Sequence, residues 1–155
     1  IDKHLEYVEY LPLFTAEAAC GQFGEGVLVE EEGWIKTTEM GRLNRNMFVV
    51  RATGKSMEPM IHDGDYCVFR APVIGTRNNK IVLVQHLGME DPETGGKYTI
   101  KKYTSKKSFK EDSTWSHEEI SLNPLNPDYQ PIIIKNPEYQ EFMVVGELVG
   151  ILGKN

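Results

Sequence analysis

The stretch TGKSMEPMIHDGDYCVF, Thr53 to Phe69, sets Ser56 and Met57 at a corner opened by Gly54 and follows them with an acidic turn and an apolar run. A serine placed there has two readings. Serine, glycine and aspartate are ordinary turn residues, and the same hydroxyl becomes a nucleophile only if a base within reach takes its proton. His4, His62, His86 and His117 are scattered and only His62 is close to Ser56 in sequence, so a Ser-His-Asp arrangement fits poorly. The same scatter has no metal-ligand spacing, and no cofactor is expected. Asp63 and Asp65 flank Gly64 ahead of an apolar run, where carboxylates bond backbone amides and shape a turn. ETGGKYT lacks the first glycine of a phosphate loop and has Tyr98 where Ser or Thr must reach magnesium. Lysine is a further base, provided that burial disfavours its ammonium form. In KYTIKKYT, strand alternation sends Thr99, Lys101 and Tyr103 to one face and Ile100 and Lys102 to the other, so adjacent lysines meet opposite environments. That pattern alone does not separate a base from an ordinary exposed strand lysine.

The elements that must position these residues are strands. Short β-branched and aromatic runs recur from Gly26 onward as GVLVEE, MFVVRAT, YCVFRA, KIVLVQH, YTIKKYT, EEISLNP, PIIIK and FMVVGELVGIL, with no sustained helical period. The fold class expected is mainly β, with bent antiparallel sheets or a small barrel. Residues 1–25 read as an arm or linker, because AEAACGQFGEG is too poor in large side chains to anchor a core, leaving 26–155 as one domain. HLGMEDPETGGK, with Pro92, Gly95 and Gly96, reads as a long hairpin tip standing out into solvent. The basic run KKYTSKKSFK reads as a solvated face.

At 155 residues, 40% hydrophobic and 26% charged, the chain has the composition of one globular domain. A net charge of −6 argues against direct nucleic-acid binding, which needs clustered Lys and Arg. Cys20 and Cys67 lie in no metal or disulfide pattern, pointing to a reducing, cytoplasmic setting. No apolar run is long enough for a membrane span. A first residue of Ile1 suggests a processed product or a piece of a longer protein.

From Pro12 onward these residues resemble the self-cleaving Ser/Lys peptidases of the bacterial DNA-damage response, the LexA and UmuD group of the signal-peptidase clan. GKSMEPMIHDGDYCVF is similar to that family's nucleophile box, YTIKKY to the strand bearing its base, LNPLNPDYQPIII and VVGELVGIL to its later segments, and PLFTAEAACG to the arm it cuts. The resemblance implies a LexA C-terminal-domain-type fold with a flexible arm, Ser56 as nucleophile and Lys101 as base. Gly54, Met57, Asp63 and Asp65 would shape the oxyanion site, and Met57, Ile61 and Val68 would keep the lysine dry. The bond cut would be Cys20–Gly21, beside Ala19, in an extended arm whose small residues let it approach the serine. It further implies a homodimer paired through the carboxy-terminal strand, a RecA filament on single-stranded DNA as co-protease, and a regulatory switch in the SOS response. A UmuD-like translesion-polymerase accessory, or a regulatory peptidase appended to a larger DNA-processing enzyme, are the rival settings. Two features depart from the family: a longer tip between Gln85 and Tyr98, and EEGWIK, Glu31 to Lys36. With a tip that bulges outward, the flanking register is kept and Lys101 remains the base over Lys102.

Overall fold

A computed structural model of the chain describes residues 1–88, 91–109, 116–137 and 141–154. Met89 and Glu90 of the hairpin tip, Lys110 of the basic run and the side chain of His117 lie outside that description. The molecule is built on a nine-stranded sheet: β1 Tyr10–Phe14, β2 Gly33–Lys36, β3 Met47–Arg51, β4 Tyr66–Arg70, β5 Ile81–His86, β6 Tyr98–Phe109, β7 Ser116–Asn123, β8 Ile132–Lys135 and β9 Phe142–Gly153, in the order β2-β1-β3-β4-β9-β5-β6-β7-β8. All ladders are antiparallel except β1 with β3. The mainly β class expected from the runs is what the chain adopts.

Two of the expected details differ. GVLVEE is not a strand: Gly26 has φ of 73°, no ladder takes up 26–31, and Leu28 is almost wholly exposed. Instead YLPLF and GWIK, the latter from the departure EEGWIK, form β1 and β2. Pro12 is compatible with an interior strand because the ladder to β3 covers only Leu13 and Phe14, so no donor is needed on that side.

The first 25 residues, expected as a flexible arm, are packed into the body. Leu11 is buried with Val49, Tyr66 and Val68 on one face of the sheet. Phe14, Ala19 and Cys20 join Phe48, Val50, Cys67 and Phe69 on the other. Successive residues of β3 and β4 therefore face two separate apolar clusters, which is why these strands read as unbroken apolar runs. After β1 the chain winds into a short helix, α1 Ala16–Ala19, capped by the Thr15 hydroxyl on the Ala18 amide, and then a π-helical turn, Cys20–Gly24. Phe23 holds that turn down by stacking on Phe48, ring centroids 4.1 Å apart, with Phe14 edge-on at 5.8 Å.

The basic run lies on the outer part of β6, where Lys106 and Lys107 stand directly across from Glu119 and Glu118 of β7. Opposite charges on facing positions account for it as a strand-pairing feature.

Candidate active site

The turn carrying Ser56 is held from three sides. Asp63 Oδ1 accepts from the Gly54 amide at 2.8 Å, and Asp65 Oδ2 accepts from the His62 amide at 2.8 Å, so both carboxylates do the turn-shaping expected of them. Main-chain bonds from Ala52 N to Asp65 O and from Gly64 N to Ala52 O close the loop on itself. From the far side, the segment between β7 and β8 clamps it: the amides of Leu125 and Asn126 both donate to the Ser56 carbonyl at 3.0 Å, and Asn126 Nδ2 donates to the Lys55 carbonyl at 3.0 Å. The Lys55 carbonyl is trans to the Ser56 amide, so holding that carbonyl toward 125–126 turns the Ser56 N–H the other way, and the Lys55 amide points to the same acceptor as the Ser56 amide, the Glu93 carboxylate. Gly54 has φ of 89°, a conformation side chains rarely adopt.

Lys101 comes from β6, and the alternation read from KYTIKKYT is present in the fold: Thr99, Lys101 and Tyr103 are 2%, 5% and 4% exposed, while Ile100 and Lys102 are half-buried. The ladder that follows the tip pairs Lys101 opposite Val82 and Lys102 opposite Ile81. The lysine Nζ donates to Thr99 Oγ1 at 2.8 Å and lies 3.6 Å from Asp91 Oδ2. Burial pushes the amine below its ordinary value, against the opposing pull of the Asp91 and Glu93 charges. Asp91 is itself buried. Burial pushes its carboxyl up, but the Thr99 hydroxyl, the Lys101 charge and the amides of Glu93 and Thr94 outweigh that and hold it below its ordinary value.

Lys101 and the residues flanking Ser56 share one small cavity. Gly54, Met57 and Ile61 form one wall, Thr99 and Lys101 another, and Ala16 of α1 covers part of it. Its volume is about 30 Å³, room for a water or two. Ser56 is buried too, at 4% exposed. Met57 and Ile61 are thus where the apolar neighbours of the lysine were expected, but Val68 is not: it faces the opposite cluster with Leu11 and Val49, because it alternates with Cys67 and Phe69 along β4.

Within residues 91–97 the expected solvent-facing tip instead turns Asp91 and Glu93 back onto the serine turn and Lys101. Residues 91–97 form a tight turn nucleated by Asp91, whose Oδ1 accepts from the amides of Glu93 and Thr94 while its main chain bonds Gly95 and Gly96. That turn points Glu93 inward. Its Oε2 accepts from the Lys55 amide at 2.6 Å and its Oε1 accepts from the Ser56 amide at 3.3 Å, and the pKa of the Tyr129 phenol is raised, first by burial and then by the Glu93 charge. A side chain at position 54 would run into this carboxylate, a second reason for Gly54. Asp91, Glu93 and Asn126 were missed in the sequence because each acts across the fold. The one available signal was the acid-rich composition of an inserted tip.

Ala19, Cys20 and Gly21 are near the site but not in it. Cys20 is buried in the core cluster that includes Met57 and Ile61, and burial pushes its thiol up to about 12. Its carbonyl, like that of Gly21, accepts from the Glu25 amide within the π-helical turn. The extended arm expected from small residues is here a wound one, pinned by Phe23.

A buried lysine on a strand and a clamped serine turn border one small cavity on a mainly β scaffold, and the chain belongs to the Peptidase S24-like family, whose model matches residues 12–149. Among curated proteins it is similar to the LexA repressor of Myxococcus xanthus, 28% identical over 93% of this chain and 57% of that protein. It is also similar to those of Geobacter metallireducens, 31% over 77% of this chain and 50% of that protein, and Clostridium perfringens, 29% over 70% and 42%. The chain spans about half the length of these relatives. Among the described residues no helix is long and apolar enough to cross a membrane.

Proposed function

We propose that this is a serine self-peptidase domain in which Ser56 attacks the Cys20 carbonyl and Lys101 is the general base. The observation that carries the reading is Lys101, a buried amine with a lowered pKa on the wall of the cavity that Gly54 and Met57 also line. An amine in that setting can lose its proton at moderately alkaline pH and accept another from the serine hydroxyl. Lys101 Nζ takes the Ser56 proton as Oγ bonds to the Cys20 carbonyl carbon, and the charge that develops on oxygen is met by the amides of Lys55 and Ser56. The C–N bond to Gly21 then breaks, the lysine returns the proton to the departing amine, and water releases Cys20 from the ester. Fixed main-chain donors need no reorganisation as the charge appears, an effect worth about 3 kcal/mol.

For this to occur the turn Cys20–Gly24 must unwind and present its carbonyl in place of its bond to Glu25. Control therefore rests on how often the arm leaves its wound form. The similarity to LexA repressors supports a regulatory switch in the DNA-damage response, with a RecA filament as the promoting partner, a homodimer as the working unit and a cytoplasmic setting. A polymerase accessory subunit, or a peptidase domain appended to a larger DNA-processing enzyme, uses the same chemistry.

Intact-mass spectrometry of purified protein at pH 9 to 10 tests it. The expected result is slow conversion to two pieces, one ending at Cys20 and one beginning at Gly21, abolished by Ser56→Ala. A single uncut mass over days, with the protein folded throughout, would overturn the reading.

A further inference from the structure

We propose that residues 91–97 are an internal plug, in which Glu93 occupies the oxyanion donors of the Ser56 turn and Asp91 pairs with Lys101. The inference rests on reading Ser56 and Lys101 as the dyad. The carboxylate of Glu93 is a planar anion with two oxygens placed on the amides of Lys55 and Ser56, at 2.6 and 3.3 Å, where the single oxyanion of a tetrahedral intermediate would bind. Two residues earlier, Asp91 Oδ2 stands 3.6 Å from Lys101 Nζ. One turn thus engages both the electrophilic and the basic halves of the site. The turn is built to do so: Asp91 Oδ1 bonds the Glu93 amide itself, Thr94 Oγ1 accepts from the Gly96 amide, and the Thr94 hydroxyl donates to the Tyr98 carbonyl at the start of β6.

Two further features give the plug a seat rather than a chance approach. The loop between β7 and β8 clamps the Lys55 and Ser56 carbonyls, so the turn that receives Glu93 is itself held in place. Gly54 leaves open the space the carboxylate fills. With the plug seated, the Lys55 and Ser56 amides are already taken and the cavity beside Lys101 is about 30 Å³. Substrate and Glu93 therefore compete for one pair of amides, and cleavage requires residues 91–97 to withdraw in addition to the unwinding of 20–24.

The test follows Ser56 by two readouts at pH 8 in the full chain: the first-order rate of self-cleavage, and the rate of covalent labelling by a small fluorophosphonate, which reports an open, activated serine whatever the arm does. Glu93→Ala and the isosteric Glu93→Gln are compared with the wild type, each also in a Ser56→Ala background, with melting temperatures to establish that every variant is folded. The expectation is at least a tenfold rise in labelling and in cleavage for both variants, lost with Ser56→Ala. Faster Ser56-dependent labelling without cleavage would support the plug while sinking the Cys20–Gly21 reading. Folded Glu93 variants that label and cut no faster than the wild type, or more slowly, would overturn the plug.

Discussion

At the scale of single residues, the proposed chemistry turns on how far the surroundings push Lys101 toward its neutral form. Burial lowers its pKa, and Asp91 and Glu93 oppose this. The sign for activity follows directly. Below the folded pKa the neutral fraction grows about tenfold per pH unit, so the cleavage rate rises with pH and levels off before the ordinary lysine value of 10.5 is reached. Asp91→Asn removes a charge that stabilises the ammonium, so the plateau moves to lower pH. Cleavage rates of wild type and variant from pH 6 to 10 check it, and a plateau that stays in place or moves up would show that Asp91 does not set the lysine's protonation. Adjacent Lys102 is half-buried and on the other face of β6, so Lys102→Ala leaves the rate close to that of wild type while Lys101→Ala abolishes cutting.

The ion pair also decides a stability question. From the sequence, an unpartnered buried amine at 101 is costly, and its removal reads as stabilising. With Asp91 buried beside it, removing the lysine leaves a carboxylate without its cation. The second effect wins, since breaking one side of a buried pair typically costs about 3 kcal/mol. Lys101→Met is expected to melt lower than the wild type, and Asp91→Asn in the same chain to recover most of the loss. Denaturant titration of the four proteins in that cycle measures the coupling. The pH dependence has its own sign: between the lowered folded pKa and 10.5 the unfolded chain binds more protons at position 101, so this group makes the fold more stable as pH rises through that window.

At the scale of elements, the site is a serine turn clamped between the 63–65 turn and the loop joining β7 to β8, with β6 bringing the lysine. The clamp is testable through Asn126, whose amide nitrogens reach Ser56 O and Lys55 O. Asn126→Ala removes one of these bonds, costing about 1 kcal/mol of stability and freeing the Lys55–Ser56 peptide to rotate. Cleavage by this variant should fall several-fold even after Lys101 is fully neutral at high pH, a loss that a shift in lysine pKa cannot mimic. An unchanged plateau rate would mean the turn is held without it. Gly54 belongs to the same scale: Gly54→Ala places a β-carbon at φ of 89° against the Glu93 carboxylate.

At the scale of the whole molecule, β9 links the two halves of the sheet. Residues Phe142 to Glu147 ladder with β5 and Glu147 to Gly153 with β4, with Arg70 and Lys80 both paired to Glu147 where the strand changes partners. The second half of β9 is mostly half-buried and carries this ladder on one side, an edge that a second copy can extend. A homodimer is the expected state, with light scattering giving twice the chain mass at micromolar concentration. A monomer throughout that range would show the edge to be sufficiently protected within one chain.

Much of this was present in the linear sequence, because some properties depend only on neighbours along the chain. The apolar runs that became β3 to β9, the glycine corner at Gly54, the amide-binding roles of Asp63 and Asp65 and the opposite faces of Lys101 and Lys102 all follow from local sterics and a period of two. YLPLF was obscured by its proline and GVLVEE looked like a strand, since a ladder needs a partner and the partner is chosen by the whole sheet. What only the tertiary structure decided are contacts between segments far apart in sequence: Phe23 stacked on Phe48, which keeps Cys20–Gly24 wound, and Glu93 seated on amides 37 and 38 residues before it. An inserted, acid-rich tip reads as solvent-facing because carboxylates prefer water. Here it turns inward because the fold supplies what water would: two fixed amides for Glu93, and a lysine and a threonine hydroxyl for Asp91.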